Sequence, residues 1–290
     1  MQICAIIPAH RPDAGFPDRL RAVAEQVGCV VIVDDSASPE IAAELDRIAS
    51  TIPGAVVCHH QKNRGLGASL NMGVNEAKRL GFGWVLTLDD DTTVDAAMCS
   101  RLAVSWNAIA RTVPLGILAM SWKPNPEKAM AKGRTWEIKK MVITSGSLMR
   151  IETWEAVGPF RENFIIDAID AEYCSRVRAQ GLRVVKLAEQ GFAQQLGESL
   201  LIRWGPLRIQ LNEHSPLRTY YRVRNSTVLV KERWRQDPAY IAGALYCDCQ
   251  QLLAALLFYR DKMRHLKAMA IGLQHGCVGV SGFFPTGGQP

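Results

Sequence analysis

Short runs of apolar residues alternate with helical patterns through the first part of the chain. These runs predict strands at residues 3–7, 30–33, 55–58 and 84–88. Because they are apolar at every position, and not only at every second one, they are typical of strands buried on both faces. Their alternation with helices predicts an α/β fold with a mainly parallel central sheet flanked by helices.

Acidic residues follow two of the predicted strands. Asp34 and Asp35 come after the second strand, and Asp89, Asp90 and Asp91 come after the fourth. Open parallel sheets bind ligands at the carboxyl ends of their strands. Grouped carboxylates repel one another, and Mg²⁺ or Mn²⁺ would neutralise them while holding phosphate oxygens. The alternative for the aspartate triplet is a solvated turn that leads into a helix cap.

Two common nucleotide-binding motifs are absent from the sequence. Gly65-Leu66-Gly67 begins like a dinucleotide fingerprint, but Leu70 occupies the position of the third glycine. The pattern also follows the third predicted strand, whereas that fingerprint follows the first. No glycine-rich loop ends in Gly-Lys-Ser or Gly-Lys-Thr, so a P-loop is excluded as well.

The middle of the chain contains a second candidate for chemistry. Residues 141–149 predict a strand with small side chains at its centre, where a ligand could approach the backbone. Asp167 and Asp170 then fall at the start of a predicted helix. An ionised aspartate there could act as a general base and accept a hydroxyl proton. Helix capping and interaction with the helix dipole are the alternative role for both residues.

The composition predicts a soluble, cytoplasmic protein. With 290 residues and 48% hydrophobic content, the chain can form one large domain or a domain with an appendage. Eight scattered cysteines predict neither a zinc site nor a disulfide framework, and they fit a reducing compartment. The N-terminal residues resemble no signal peptide, and no uncharged apolar run reaches the roughly 18 residues of a membrane span.

Positive charge is concentrated at the C-terminal end. From Leu201 onward, twelve basic and five acidic residues leave a net charge of +7, compared with +6 for the whole chain. This excess predicts contact with phosphate, on a substrate or at a membrane surface, although a solvated basic helix is an equal alternative. Residues 240–269 predict a helix with a leucine stripe, which fits a membrane-surface helix as well as core or dimer packing.

Six sequence blocks resemble those of family 2 glycosyltransferases. They lie at residues 33–36, 63–73, 88–92, 144–147, 164–176 and 220–225. Their order and spacing most resemble the bacterial rhamnosyltransferase branch, and the resemblance covers roughly residues 1–230. One aspartate motif would be a weak signal, but six blocks in family order are a strong one.

The resemblance implies a GT-A nucleotide-diphospho-sugar transferase fold. The catalytic domain would comprise residues 1–200, with a nucleotide-binding half at about 1–95 and an acceptor half at about 96–200. Residues 201–290 would form a basic, mainly helical extension. The implied reaction is an inverting, metal-assisted sugar transfer, with dTDP-L-rhamnose as the suggested donor. The implied acceptor is a hydroxyl of a bacterial surface glycan or of a lipid-linked glycan.

The resemblance also assigns roles to individual residues. Asp170 would be the general base, and Asp89 and Asp91 would hold Mg²⁺ or Mn²⁺ and the donor diphosphate. The donor would further contact Pro8, Asp34, Asp35, Arg64, Asn71, Asp90, Ser145, Gly146, Arg222 and Arg224. Gln195 stands where the family commonly has a metal-binding histidine, and glutamine is the weaker ligand.

Two other functions are compatible with these features. A sugar nucleotidyltransferase would also use a metal and an α/β fold, but it usually has a glycine-rich basic loop where this chain has Pro8-Ala9-His10. A nucleotide-sugar binding protein with little catalysis would explain Gln195. Besides donor and acceptor, we expect the basic region to contact the inner face of the membrane peripherally. A homodimer is compatible with the sequence, and we expect no nucleic acid partner.

Overall fold

A computed structural model describes residues 1–122, 135–194, 199–204, 207–212 and 214–285. The chain divides into two compact units. The first unit contains residues Met1–Glu162 and Asp170–Gln194, and the second contains Asn163–Ile169 and Gln195–Pro290.

The first unit is built on one large mixed sheet. Its strands are β1 (Ile3–Ala9), β2 (Cys29–Asp34), β3 (Ala55–His59), β4 (Trp84–Thr87), β6 (Leu115–Ser121), β7 (Trp136–Lys139), β8 (Ser147–Arg150) and β9 (Arg183–Gln190). They are ordered β3-β2-β1-β4-β8-β6-β9-β7. Only β7 and β8 run antiparallel to their neighbours, so the predicted mainly parallel sheet is confirmed.

Helices cover the sheet and supply much of its core. They are α1 (Phe16–Ala24), α2 (Pro39–Ser50), α3 (Leu66–Arg79), α4 (Met98–Ile109), α5 (Ile151–Val157) and α6 (Ile169–Ala179). All residues of β2, and all of β1 except Pro8, are buried. Continuous burial on both faces is what the unbroken apolar runs predicted. A second, small sheet pairs β5 (Thr92–Val94) with β10 (Phe192–Gln194).

Two local predictions in this unit are corrected. The predicted strand at residues 141–149 begins only at Ser147, because the chain first turns through Gly146 at a φ of +78°. The aspartate triplet is followed by strand β5, and α4 begins only at Met98. The triplet is therefore not a turn that leads directly into a helix cap.

The second unit is mainly helical. Its helices are α7 (Pro216–Arg233), α8 (Pro238–Phe258) and α9 (Lys262–Val278), and an antiparallel hairpin joins β11 (Ser199–Trp204) to β12 (Leu207–Asn212). The prediction of a single helix at residues 240–269 is wrong, because one helix ends before Tyr259 and another begins at Lys262. The hairpin was not predicted.

One helix of the described residues, Tyr240–Phe258 within α8, is long and apolar enough to cross a membrane, with a mean hydropathy of 1.5. The sequence predicts none, because no uncharged apolar run reaches about 18 residues. A core helix of a soluble protein also meets this criterion of length and composition. The finding by itself therefore does not establish a membrane span.

Candidate active site at the carboxyl edge of the sheet

The strand order brings the predicted site segments to one edge of the sheet. Strands β2, β1 and β4 are parallel neighbours, so the segments that follow Pro8, Asp34 and Thr87 leave the sheet on the same side. Strand β8 pairs antiparallel with β4, which places its first residues at this edge as well. Open α/β sheets bind ligands at such an edge.

At the end of β2, Asp35 holds the loop that starts α3. Its two carboxylate oxygens accept hydrogen bonds from the backbone N–H groups of Arg64, at 2.5 Å, and Gly65, at 2.8 Å. Gly65 has a φ of +84°, a conformation that glycine adopts without a steric penalty. Asp35 is buried, and both of its oxygens are used within the protein.

The neighbouring Asp34 is satisfied in the same way. Its carboxylate accepts from the backbone N–H of Ser36 at 2.9 Å and lies 2.9 Å from Nδ1 of His59. Burial alone would raise the pKa of Asp34, but the hydrogen bonds from Ser36 and His59 outweigh it and hold the pKa below its usual value. Both acids of this pair therefore stabilise the loops around the edge.

The aspartates after β4 are placed differently. The backbone N–H of Asp89 donates to Oγ of Ser145 at 3.1 Å, and its Oδ2 accepts from Nε2 of Gln194 at 2.5 Å. For Asp90, the backbone carbonyl accepts from Nε of Arg19 at 2.9 Å, and Oδ2 lies 3.4 Å from the backbone nitrogen of His10.

Burial raises the pKa of both Asp90 and Asp91. Oδ1 of Asp91 is buried and has no hydrogen-bond partner among the described residues. A buried carboxylate oxygen without a partner is costly, and a bound cation would remove that cost. Within the same described ranges, no three His, Cys, Asp or Glu side chains converge as a ready metal cage.

Ser145 and Gly146 form the floor beneath these aspartates. Ser145 is 1% exposed, and its hydroxyl hydrogen-bonds to the hydroxyl of Thr92 at 2.7 Å. A Cβ on Gly146 would come within 2.4 Å of the Phe192 ring, so this position has no room for a side chain. The predicted small residues are thus required by packing as well as by any ligand.

Gln194 was missed by the sequence analysis, which chose Gln195. Gln194 pairs with Thr92 across the small sheet, and this register brings its amide to Asp89. Gln195 lies outside the described residues, so its predicted metal contact stays a prediction. The alternation in Phe192-Ala193-Gln194, with Phe192 buried and Ala193 exposed, was the available signal for an inward Gln194.

Arg64 and Asn71 meet at Glu162. The Asn71 amide accepts from the backbone N–H of Phe160 at 2.7 Å and donates to the Phe160 carbonyl at 2.9 Å and to Glu162 at 3.0 Å. Arg64 pairs with the same carboxylate at 3.2 Å. Asn71 therefore serves to hold the chain at Phe160, and the half-exposed guanidinium of Arg64 is the group of this pair that a ligand can reach.

Asp170 lies in the first turn of α6 and is half-buried. It lines a small pocket together with Thr87, Thr144 and Tyr173, and Thr87 precedes Asp89 by two residues. The Tyr173 hydroxyl is buried and has no hydrogen-bond partner among the described residues, and burial raises its pKa. The structure thus brings the candidate base into one pocket with the end of β4.

The remaining predicted site residues, Arg222 and Arg224, belong to the second unit. Arg222 donates to Asp248 at 2.9 Å. Arg224 is 1% exposed, and its guanidinium donates to the carbonyls of Asn163, Phe164 and Gly282. Contact of Arg224 with phosphate would require breaking these bonds. The predicted donor contacts of Arg222 and Arg224 stay predictions.

The segment that Arg224 holds is conformationally strained. Ile165, Asp167 and Ala168 all have φ values between +63° and +64°, which L-residues rarely adopt. Asn225, beside Arg224, donates from its amide to the carbonyls of Phe164, Ile166 and Asp167 at 2.9–3.0 Å. This segment runs directly into α6, the helix of Asp170.

Residues 4–152, just over half of the chain, match the family described as Glycosyl transferase family 2. The chain belongs to this family. It is also 25% identical to the dTDP-rhamnosyl transferase RfbF of Shigella flexneri over 97% of both chains. The family membership expected from the six sequence blocks is confirmed.

Solved structures show the same fold. Residues 1–349 of TarS from S. aureus align with a TM-score of 0.61 and 14% identity, over 95% of this chain and 81% of that one. The mannosyltransferase PcManGT from Pyrobaculum calidifontis, solved with GDP-Man and Mn²⁺, aligns with a TM-score of 0.59 and 16% identity, over 96% and 86%. The predicted GT-A fold is confirmed.

Proposed function

We propose that this glycosyltransferase transfers L-rhamnose from dTDP-L-rhamnose, with inversion, to a hydroxyl group of a surface glycan or lipid-linked acceptor. The observation that carries the metal-assisted part of the proposal is Oδ1 of Asp91, which is buried at the carboxyl edge of the sheet and has no partner in the described part of the chain. The choice of donor is supported by the relative that matches over nearly its whole length, which is named a dTDP-rhamnosyl transferase.

Asp89 and Asp91 are the residues that would hold a divalent cation. They supply two carboxylates at the edge where a diphosphate would lie, and hard cations prefer such oxygen ligands. Bound there, Mg²⁺ or Mn²⁺ would neutralise the negative charge that develops on the departing nucleoside diphosphate. The solved PcManGT structure contains Mn²⁺ together with its nucleotide sugar.

The loop that Asp35 holds would shape the nucleotide side of the site. Because Asp35 fixes the backbone of Arg64 and Gly65, the Arg64 side chain starts from a defined position beside this edge. Its guanidinium can donate to nucleotide oxygens when it leaves Glu162. Asp34 and Asp35 would then act by holding this loop, and Ser145 and Gly146 by the shape of the surface beneath the aspartates. The donor contact of Pro8 stays a prediction.

Asp170 would be the general base. As the acceptor hydroxyl oxygen attacks the anomeric carbon, its proton passes to the Asp170 carboxylate. The new carbon–oxygen bond forms while the bond from the anomeric carbon to the diphosphate oxygen breaks, and that oxygen leaves with the electron pair. Attack from the side opposite the leaving group inverts the anomeric configuration, and no covalent enzyme intermediate forms.

The donor is tested by incubating the protein and an alkyl glycoside, whose sugar hydroxyls serve as acceptors, with dTDP-L-rhamnose, UDP-GlcNAc or GDP-mannose, in the presence of Mg²⁺, Mn²⁺ or EDTA. Of the three donors, we expect only dTDP-L-rhamnose to be turned over, and only when a metal is present. We expect the NMR spectrum of the product to show the inverted anomeric configuration. Turnover of another donor would overturn the choice of sugar, retention would overturn the mechanism, and full activity in EDTA would overturn the metal.

The base is tested with Asp170→Asn. We expect kcat to fall by about 10²- to 10⁴-fold, since general-base catalysis is worth that much. Asp18→Asn is the matched control, because Asp18 is an exposed residue of α1 whose side chain is 84% accessible. If the Asp170 variant transfers sugar at the wild-type rate, another residue is the base.

A further inference from the structure

Helix α8 of the second unit carries an unusual outer face. Six of the sixteen exposed large apolar residues in the described part of the chain lie on this one helix. With exposed Ala242 and Cys249 they form a stripe at helical spacing, here called the apolar stripe. Its members are Ala242, Leu245, Tyr246, Cys249, Leu252, Leu253, Leu256 and Leu257.

The opposite face of α8 packs against the protein. Ile241, Ala254 and Ala255 are buried there, and the helix contacts both α7 and α9. Asp248, the only charged residue of α8, lies on this inner side and accepts a hydrogen bond from Arg222 of α7 at 2.9 Å. The apolar stripe therefore contains no charge, and the acid that interrupts the apolar sequence faces away from it.

Basic residues follow the apolar stripe immediately. Arg260, Lys262, Arg264 and Lys267 are all exposed, and with Asp261 they leave a local net charge of +3. They form what we call the basic segment. The side chain of Met263, in the middle of it, is 76% exposed. An exposed apolar face next to a cluster of Lys and Arg is typical of a helix that lies on an anionic bilayer.

We propose that the apolar stripe and the basic segment dock on the surface of an anionic lipid bilayer. The stripe enters the boundary between headgroups and acyl chains, and the basic segment contacts lipid phosphates. Because the inner face of α8 packs on α7 and α9, the helix lies along the surface and does not cross the membrane. Charge complementarity favours lipid over a second copy of this chain, whose stripe would carry the same basic segment.

The proposal is tested by flotation of the full chain with vesicles of phosphatidylcholine, with or without phosphatidylglycerol. We expect binding only to the vesicles that contain phosphatidylglycerol, and loss of most binding at about 1 M salt, where the Debye length is only about 3 Å. The test needs neither donor nor acceptor, so its outcome is independent of the proposed sugar transfer.

Two variants separate the contributions. Leu253→Gln with Leu257→Gln should abolish flotation, because these exposed side chains would supply the inserted apolar area. Lys262→Gln with Lys267→Gln should weaken binding by about fivefold for each charge removed. The matched controls are Val104→Gln, an exposed apolar residue of α4, and Arg21→Gln, an exposed basic residue of α1. Both controls should bind like the wild type.

Three results would overturn the proposal. One is the absence of flotation with either kind of vesicle, and another is flotation that survives in the leucine variant. The third is a dimer in light scattering that becomes a monomer in the leucine variant, because the stripe would then be covered by a second copy of the chain.

Discussion

The two acidic strand ends of the sheet look alike in sequence and differ in their surroundings. Both oxygens of Asp35 and both of Asp34 bond within the protein, and the pKa of Asp34 is held below its usual value. After β4, burial raises the pKa of Asp90 and Asp91, and one oxygen of Asp91 has no partner among the described residues. The cluster whose carboxylate oxygens are all hydrogen-bonded builds the site, whereas the cluster that keeps a buried oxygen without a partner among the described residues is where we expect a ligand.

The largest effect that follows from this difference is on activity. Asp91→Asn should lower kcat by about 10²- to 10³-fold, the size found when one electrostatic contact to a transition state is removed. Folding should be retained, because Oδ1 has no hydrogen-bond partner among the described residues that the substitution could remove. Steady-state kinetics together with circular dichroism would check both parts.

The same variant tests the metal directly. We expect Mn²⁺ with dTDP to raise the melting temperature of the wild-type protein, since ligands that bind only the native state stabilise it. Asp91→Asn should lose this increase, while Asp18→Asn keeps it. An increase that persists in Asp91→Asn, or one that is unchanged by EDTA, would place the cation elsewhere.

A smaller effect, on stability and not on chemistry, is expected at the end of β2. Asp35→Asn leaves one acceptor oxygen for two backbone N–H groups, and a buried unsatisfied group costs about 1–3 kcal/mol. Amide hydrogen exchange should become faster at Arg64 and Gly65, whose N–H groups donate to Asp35. Exchange at wild-type rates at both amides would show that the carboxylate does not hold this loop.

The smallest effect concerns the pH dependence of the Asp34–His59 pair. The lowered pKa of Asp34 gives stabilisation that is present above its unfolded pKa, about 3.9, and is lost as the pH falls through the folded value. Burial alone would lower the pKa of His59, but hydrogen bonds to Asp34 and Asp46 raise it. Its contribution is therefore present below about pH 6.5 and is lost as the pH rises through the folded value.

The pair should thus stabilise the fold most between about pH 4 and pH 6.5. His59→Gln should lower the melting temperature by about 1–3 °C near pH 5 and by less at pH 8, as expected for a partly exposed pair. Scanning both proteins from pH 5 to pH 8 checks this. An equal difference at all pH values would mean that the His59 charge contributes nothing.

Much of the sheet could be predicted because local sequence determines it. Strands β1, β2 and β4 are largely buried, and their apolar runs follow directly from that burial. The equally apolar run of β3 forms an edge strand that is only half-buried, so burial on both faces was wrong there. The family blocks also led to Asp89, Asp91 and Asp170 as candidates. Which acids are satisfied could not be predicted, because three of their partners, His59, Arg64 and Gly65, lie 25 to 30 residues further along the chain.

Other differences from the prediction have the same origin. Gln194 reaches Asp89 across 105 residues through the register of β5 and β10, which no local pattern encodes. Arg224 is predicted as a phosphate ligand from its place in the family block at residues 220–225. In the structure it donates to the backbone carbonyls of Asn163 and Phe164, about 60 positions earlier. Because every residue has a backbone carbonyl, such partners cannot be identified from the sequence.

The strained segment 163–169 has a consequence for dividing this protein into parts. The chain leaves the first unit after Glu162, returns to it at Asp170 and leaves again after Gln194. A shortened protein ending near residue 200 would keep every residue of the aspartate edge. It would lose Arg224 and Asn225, whose side chains hold the carbonyls of Asn163, Phe164, Ile166 and Asp167. We therefore expect a protein shortened in this way to lose the ordered conformation of residues 163–169, which precede Asp170 in the chain.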